Sequence, residues 1–168
     1  MYKQIDLTVP KGAIFTEDRK YRYVLWRVWN SSRKILMQVG LNPSDANELK
    51  DDPTITRGFT RAYKEGFGGF LMANLYAFVS TDPKALLKNK NTIGELTDYY
   101  NAEMVKLSER QLCGWGSFPP VAERCKAVLA MLPNPYCLVV NKDGQPKHPL
   151  YVSYETPMVK YEVGKKGE

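Results

Sequence analysis

The stretch QVGLNPSDANELKDDPTITRGF, residues 38–59, joins an apolar run to a helical pattern through a loop unusually rich in polar groups: Asn42, Ser44, Asp45, Asn47, Asp51, Asp52 and Thr54. A loop that only turned the chain would need one Gly or Pro. Each residue type offers a specific service. The side-chain carbonyl of Asn42 can hold a water, although an amide is a poor general base. Asp51 or Asp52 can supply basicity or favour a developing cation nearby. Further along, Asn74 stands among apolar neighbours and can donate and accept hydrogen bonds at once, which suits the edge of a heterocyclic ring. His148, the single histidine, lies in the turn-rich KDGQPKHPLY and can donate to an oxygen that becomes negative. Tyr76, Phe78 or Trp115 can stack on a planar ring.

Each assignment has a plainer rival. Asn42 and Ser44 can cap the following turn. One of Asp51 and Asp52 is expected to sit at a helix N-terminus, where the dipole favours its charge. Asn74 can satisfy backbone at a strand end. Trp115 reads as core, and His148 can hold the C-terminal loop through a surface hydrogen bond. Asp45, Asp51, Asp52 and Asp82 are oxygen ligands of the kind magnesium accepts, but no DxD or ExxD cluster reinforces them, so no metal is expected. No G-x-S-x-G elbow, GxGxxG or P-loop occurs, and no cofactor is implied.

The elements that would position these residues follow from periodicity. Tyr21–Trp29 alternates apolar and basic residues, the pattern of a half-exposed strand; with Arg22 and Arg27 interleaved it reads as an edge protected by charge, a nucleic-acid surface being the alternative. ILMQVGL is a short apolar run expected to be covered on both faces. Thr54 is placed to cap a helix over about residues 55–64, ended by Gly66. GGFLMANLYAFV is a second buried strand, followed by a short helix capped from Ser80, Thr81 or Asp82. NTIGELTDYYNAEMVKLSERQ is the longest helical pattern. QLCGWG and YCLVVN are third and fourth strands, separated by a helix that Pro119 and Pro120 start. Residues 1–20 read as an irregular arm and residues 160–168 as a basic tail.

Strands alternating with helices imply a single α/β domain over 1–168: three layers, α/β/α, around a mostly parallel sheet of about four strands plus an N-terminal edge strand or hairpin. Ligands bind such sheets beyond the carboxyl ends of the strands, where GLNPS, NLYAF, GWG and KHPLY all fall. The composition, 43% hydrophobic and 12% aromatic, can fill one core. No apolar run approaches the roughly 18 residues of a membrane span. MYKQIDLTVPKGAIF lacks the layout of a secretory signal, and Cys113, Cys125 and Cys137 lack metal spacing, which together point to buried free thiols in a cytoplasmic protein. A net charge of +6 favours polyanionic partners.

In order, GLNPS, DDPT, the strand ending in NLYAF, TDP, WG and KDG-x-P-x-HPLY resemble the DUF1643 family of bacterial and phage proteins, from KGAIF to the ETP near residue 157. A more distant resemblance is to the uracil-DNA glycosylase superfamily. That superfamily has a water-activating G-x-[DN]-P loop, a strand with a base-reading Asn, a strand ending in WG and a C-terminal HP loop. The corresponding pieces are Gly40, Leu41, Asn42 and Pro43, then Asn74, Trp115 and His148. Pro149 is followed by Leu150 and Tyr151 where an HPSP-like loop is usual, Asn42 replaces the Asp of the fast uracil enzymes, and DDPT has no counterpart.

This likeness implies metal-independent N-glycosidic hydrolysis of a base in DNA, including a modified one. Asn42, His148, Asp51 and Asp52 would be catalytic. Gly40, Leu41, Pro43, Ser44, Asn74, Tyr76 and Trp115 would bind the base, and Arg57, Arg61 and Lys147 would face phosphates. A non-catalytic nucleic-acid or nucleotide-binding protein with the same pocket is one alternative, and a hydrolase or transferase of a small nucleotide or sugar-like metabolite is another.

Overall fold

The apolar runs ILMQVG and GFLMAN form the centre of the molecule, and every residue of both is buried. The structure is a computed structural model that describes residues 2–119 and 121–162. Seven strands form one mixed sheet: β1 (Lys11–Phe15), β2 (Arg22–Val28), β3 (Ile35–Gly40), β4 (Gly69–Asn74), β5 (Arg110–Cys113), β6 (Pro135–Cys137) and β7 (Val159–Lys160), in the order β1-β2-β4-β3-β5-β6-β7. Strands β4, β3, β5 and β6 pair in parallel, and these are the four strands expected from the sequence. The sheet is nonetheless larger and more mixed than expected. β1 and β2 extend it antiparallel on one side, and β7 pairs antiparallel with β6 on the other.

The helices among the described residues are α1 (Pro53–Lys64), α2 (Ala85–Lys88), α3 (Thr97–Leu107) and α4 (Val121–Leu129). Because strand side chains alternate, each strand contributes to two cores. Met37, Val39, Leu71 and Ala73 join Tyr100 and Met104 of α3 and Val121, Cys125 and Val128 of α4. Leu36, Phe70, Met72 and Leu112 join Ile55 and Ala62 of α1 on the opposite face. Full burial of side chains such as Leu36, Phe70 and Leu112 contributes about 1.5–3 kcal/mol each. The three cysteines are free and buried. No helix among the described residues is long and apolar enough to cross a membrane.

Several expectations need correction. β2 is not an edge strand: it lies between β1 and β4, and both its arginines are buried. Strict alternation would put two residues five apart on opposite faces; a register shift at the start of β2, where Ile14 pairs with Val24 but Phe15 with Arg22, lets both arginines reach the residue 42–52 loop, to which they are tied. Arg22 Nη1 donates to the Ala46 carbonyl at 2.9 Å, and Arg27 donates to Asp51 Oδ1 at 2.8 Å and to the Asn47 carbonyl at 2.7 Å. The N-terminal arm contains β1, whose Gly12 lies so close to the Trp26 ring that a Cβ would fall 2.0 Å from it. α1 is capped by Asp52, with Pro53 in its first turn, rather than by Thr54. The fourth strand ends at Cys137, and Val140 instead bridges Pro146 within the turn-rich segment. Part of the basic tail, with Lys165 and Lys166, and Pro120 at the start of α4 lie outside the described residues.

Candidate functional site

β3 and β4 are paired in parallel so that Gly40 stands opposite Asn74 at their carboxyl ends. The chain leaves both strands there as two loops that run alongside each other. Gly40, Leu41 and Pro43 carbonyls accept the backbone N–H groups of Leu75, Tyr76 and Ser80 at 2.9–3.0 Å. Above this rim opens a cavity of about 280 Å³. Its lining brings together Gly40, Leu41, Asn42, Ser44, Asp52, Asn74, Trp115 and His148, drawn from four separate segments of the sequence.

Asn74 is the floor of the cavity. It is 2% exposed, and neither its Oδ1 nor its Nδ2 has a hydrogen-bond partner. Glycine opposite leaves the amide room, since a Cβ at residue 40 would lie 3.0 Å from Asn74 Oδ1 and 2.6 Å from the Met72 methyl, which would have to move. Asn42 is held differently. Its Nδ2 donates to the carbonyls of Pro43, Phe78 and Ser80 at 3.0–3.3 Å, which fixes the amide and leaves Oδ1 as its available atom. This cage also explains why the residue is Asn: a carboxylate would set its negative charge against three carbonyl oxygens.

His148 Nδ1 accepts the Leu150 N–H at 3.2 Å, so the neutral ring carries its proton on Nε2. Burial lowers its pKa from 6.5, opposed by the charge of Asp52, so the imidazole is neutral at pH 7. The loop is seated by glycine as well, since a Cβ at Gly114 would fall 2.4 Å from the Pro149 ring. Asp52 faces the cavity, and its oxygens are both engaged: Oδ1 accepts Ile55 N–H at 2.9 Å and Oδ2 accepts Ala46 N–H at 3.3 Å. It is therefore a helix cap whose charge is felt in the cavity. Trp115, 1% exposed, packs in the core, donates Nε1–H to Gln145 Oε1 at 2.7 Å and contributes a wall.

Other predicted residues are elsewhere. Asp51 is paired with Arg27. Pro43 is buried beneath the rim. Tyr76 lines a different and larger cleft of about 720 Å³ with Tyr21, Tyr23 and Glu95. That cleft holds none of the buried, unpartnered polar atoms found among the described residues, so we place the site at the smaller cavity. Arg61 is 1% exposed and donates to the carbonyls of Val152 and Ser153 at 3.0 and 3.1 Å. Arg57 donates to Val152 too and lies 3.9 Å over the Tyr154 ring. Both dock the segment following His148; Arg61 is buried there, while Arg57 is half-buried. Lys147 is outside the cavity lining.

The sequence reading missed Arg22, Thr54, Ser80, Thr81, Tyr151 and Pro83 in the lining. TDP, residues 81–83, is among the family signatures, and that signal is enough to place Thr81 and Pro83. Tyr151, 75% exposed at the rim with its ring centroid 5.9 Å from that of His148, belongs to the quoted HPLY. Arg22 carried no usable signal because its strand read as an edge. It is 2% exposed, and burial pushes its guanidinium down to about 10, opposed by Asp52, which leaves it cationic at pH 7.

No curated protein and no solved structure matches the chain. Residues 22–150, more than half of its length, match the family described as protein of unknown function DUF1643, and the match ends at Leu150, inside the loop that brings His148 to the cavity. The chain therefore belongs to the DUF1643 family.

Proposed function

We propose that the cavity receives a heterocyclic base, and that the protein is a metal-independent N-glycosidic hydrolase acting on a base in DNA, akin to the uracil-DNA glycosylase superfamily. The observation that carries this reading is Asn74: a buried amide with donor and acceptor both unpartnered, at the floor of a base-sized cavity. An unsatisfied buried polar group costs about 1–3 kcal/mol, and a ring edge presenting a complementary donor and acceptor would offset that cost. The DNA partner is supported by the net charge of +6, which attracts polyanions.

In this reading the C1′–N bond breaks with its electron pair leaving on the base. His148 Nε2–H donates to the base oxygen as negative charge grows there. Asn42 Oδ1 orients a water whose oxygen bonds to C1′, while the water's proton passes to solvent or to the departing base. The Asp52 carboxylate, held by two backbone N–H groups, favours the cationic sugar by its field. With an amide in place of a strong base, turnover is expected to be slow.

The test is incubation of the protein with duplex and single-stranded oligonucleotides bearing a panel of normal and modified bases, followed by hot-alkali cleavage at abasic sites. Cleavage that His148→Ala abolishes supports the reading. Intact DNA across the panel with retained, salt-sensitive binding would replace it with a binding protein. Intact DNA with no affinity at any salt would point to a small metabolite.

A further inference from the structure

Arg22 is a cation that the cavity holds without a direct ion pair, the Asp52 charge acting on it only through space. Its guanidinium makes one hydrogen bond, from Nη1 to the Ala46 carbonyl, its buried Nε has no partner, and it forms no ion pair among the described residues. The Asp52 carboxylate faces the same cavity, but its oxygens are spent on Ala46 and Ile55 N–H groups, so the Ala46 peptide stands between the two charges. With His148 neutral, Arg22 is the only permanently cationic side chain in the lining. Removing a guanidinium from water costs several kcal/mol unless a partner compensates it. In Arg27, the companion residue on β2, Asp51 fills that role. Arg22 has the same burial and lacks the carboxylate.

We infer that the cavity selects a planar heterocycle in anionic form, whose negative charge takes the place beside Arg22 that no protein carboxylate fills. This rests on the base-pocket reading and narrows it. The anion can arise in two ways, from a ring whose N–H has ionised or from a carboxylate carried on the ring. Asn74, on the adjoining strand, would read the ring's hydrogen-bonding edge while Arg22 reads its charge.

Equilibrium binding of free bases by calorimetry tests this, using full-length protein across pH 6–9. The matched pairs are uracil against 5-nitrouracil, whose ring N–H is far more acidic, and hypoxanthine against urate; 6-carboxyuracil supplies a permanent carboxylate. Wild-type protein should bind at least one anionic ring about tenfold or more tightly than its neutral counterpart, a difference of about 1.4 kcal/mol. Preference for 5-nitrouracil or urate identifies an ionised ring, and preference for 6-carboxyuracil identifies a ring carboxylate. In Arg22→Met the preference should fall to about onefold while the protein stays folded, because no ion pair is broken. Arg22→Lys, which keeps the charge, should retain part of the preference. Equal binding of neutral and anionic rings, or a preference that survives in Arg22→Met, overturns the inference but leaves the base pocket standing. Failure of every ring to bind overturns both.

Discussion

Replacing Asn74 with leucine separates a residue that builds the fold from one that the fold tolerates for its ligand. Leucine has nearly the shape of asparagine and no polar atoms. In the wild type, both amide atoms are buried and unpartnered, so the substitution removes desolvated groups without breaking a side-chain hydrogen bond. The side-chain bond that reaches Asn74, from Asn101 Nδ2 at 3.2 Å, ends on its backbone carbonyl and survives. Leaving a buried polar group unsatisfied costs about 1–3 kcal/mol, so Asn74→Leu should be stabilised by roughly that amount. At about 2–4 °C per kcal/mol for a chain of this size, the expected rise in Tm is about 2–12 °C. Thermal melts and urea titrations of the two proteins measure this directly, and the variant should also lose affinity for any base. A destabilisation of about 1 kcal/mol or more would show that the amide is satisfied within the fold, and would refute its assignment as a ligand-reading group.

Three further outcomes follow from the same geometry. Gly40→Ala places a Cβ 2.6 Å from the Met72 methyl and 3.0 Å from Asn74 Oδ1, so the methionine should yield at a cost of about 1 kcal/mol while ligand affinity falls about tenfold or more, read by melting and calorimetry. His148 is the single histidine, so one imidazole C2–H resonance reports it, and that resonance should titrate below 6.5. Because the folded pKa is the lower one, the unfolded chain binds more protons between the two values. Stability should therefore be full above pH 6.5 and decline as pH falls through the folded pKa, a slope that His148→Gln should remove. Arg61→Met should lose about 2–3 kcal/mol, because Val152 and Ser153 carbonyls lose a charged donor, and limited proteolysis should then cut first after residue 148.

The parallel centre of the sheet was legible in the sequence because its strands are short apolar runs separated by helical periodicity, a pattern that burial on both faces enforces. β1 and β7 were not. KGAIF carries a glycine chosen for the approach of a tryptophan ring rather than for strand propensity, and β7 is two residues long. β2 is legible as a strand, but its surroundings are not. The pattern of apolar and basic residues cannot report the register shift at the start of β2, nor the loop that folds back over both arginines. That loop answers the question its composition raises. Asn47 Oδ1 accepts Leu49 and Lys50 N–H groups at 2.9 Å, Asp51 pairs with Arg27, and Asp52 caps α1 while holding Ala46. Most of its polar groups are fasteners.

The site residues divide by how far their role depends on distant contacts. Gly40, Asn42, Ser44, Asn74 and His148 were legible because each occupies a strand end or a turn, and in a parallel sheet those ends share one rim whatever the loops between them do. Arg57 and Arg61 illustrate the opposite case. On a helix beside a candidate site they read as phosphate ligands, but their partners are carbonyls about 90 residues away. Arg22 reverses the error, since it read as solvent-facing and is instead enclosed with its charge unpaired. The same residue type on the same strand is satisfied at position 27 and unsatisfied at position 22. That contrast exists only once the loop has closed over both, and it turns an arginine from a fastener into a group with capacity to bind.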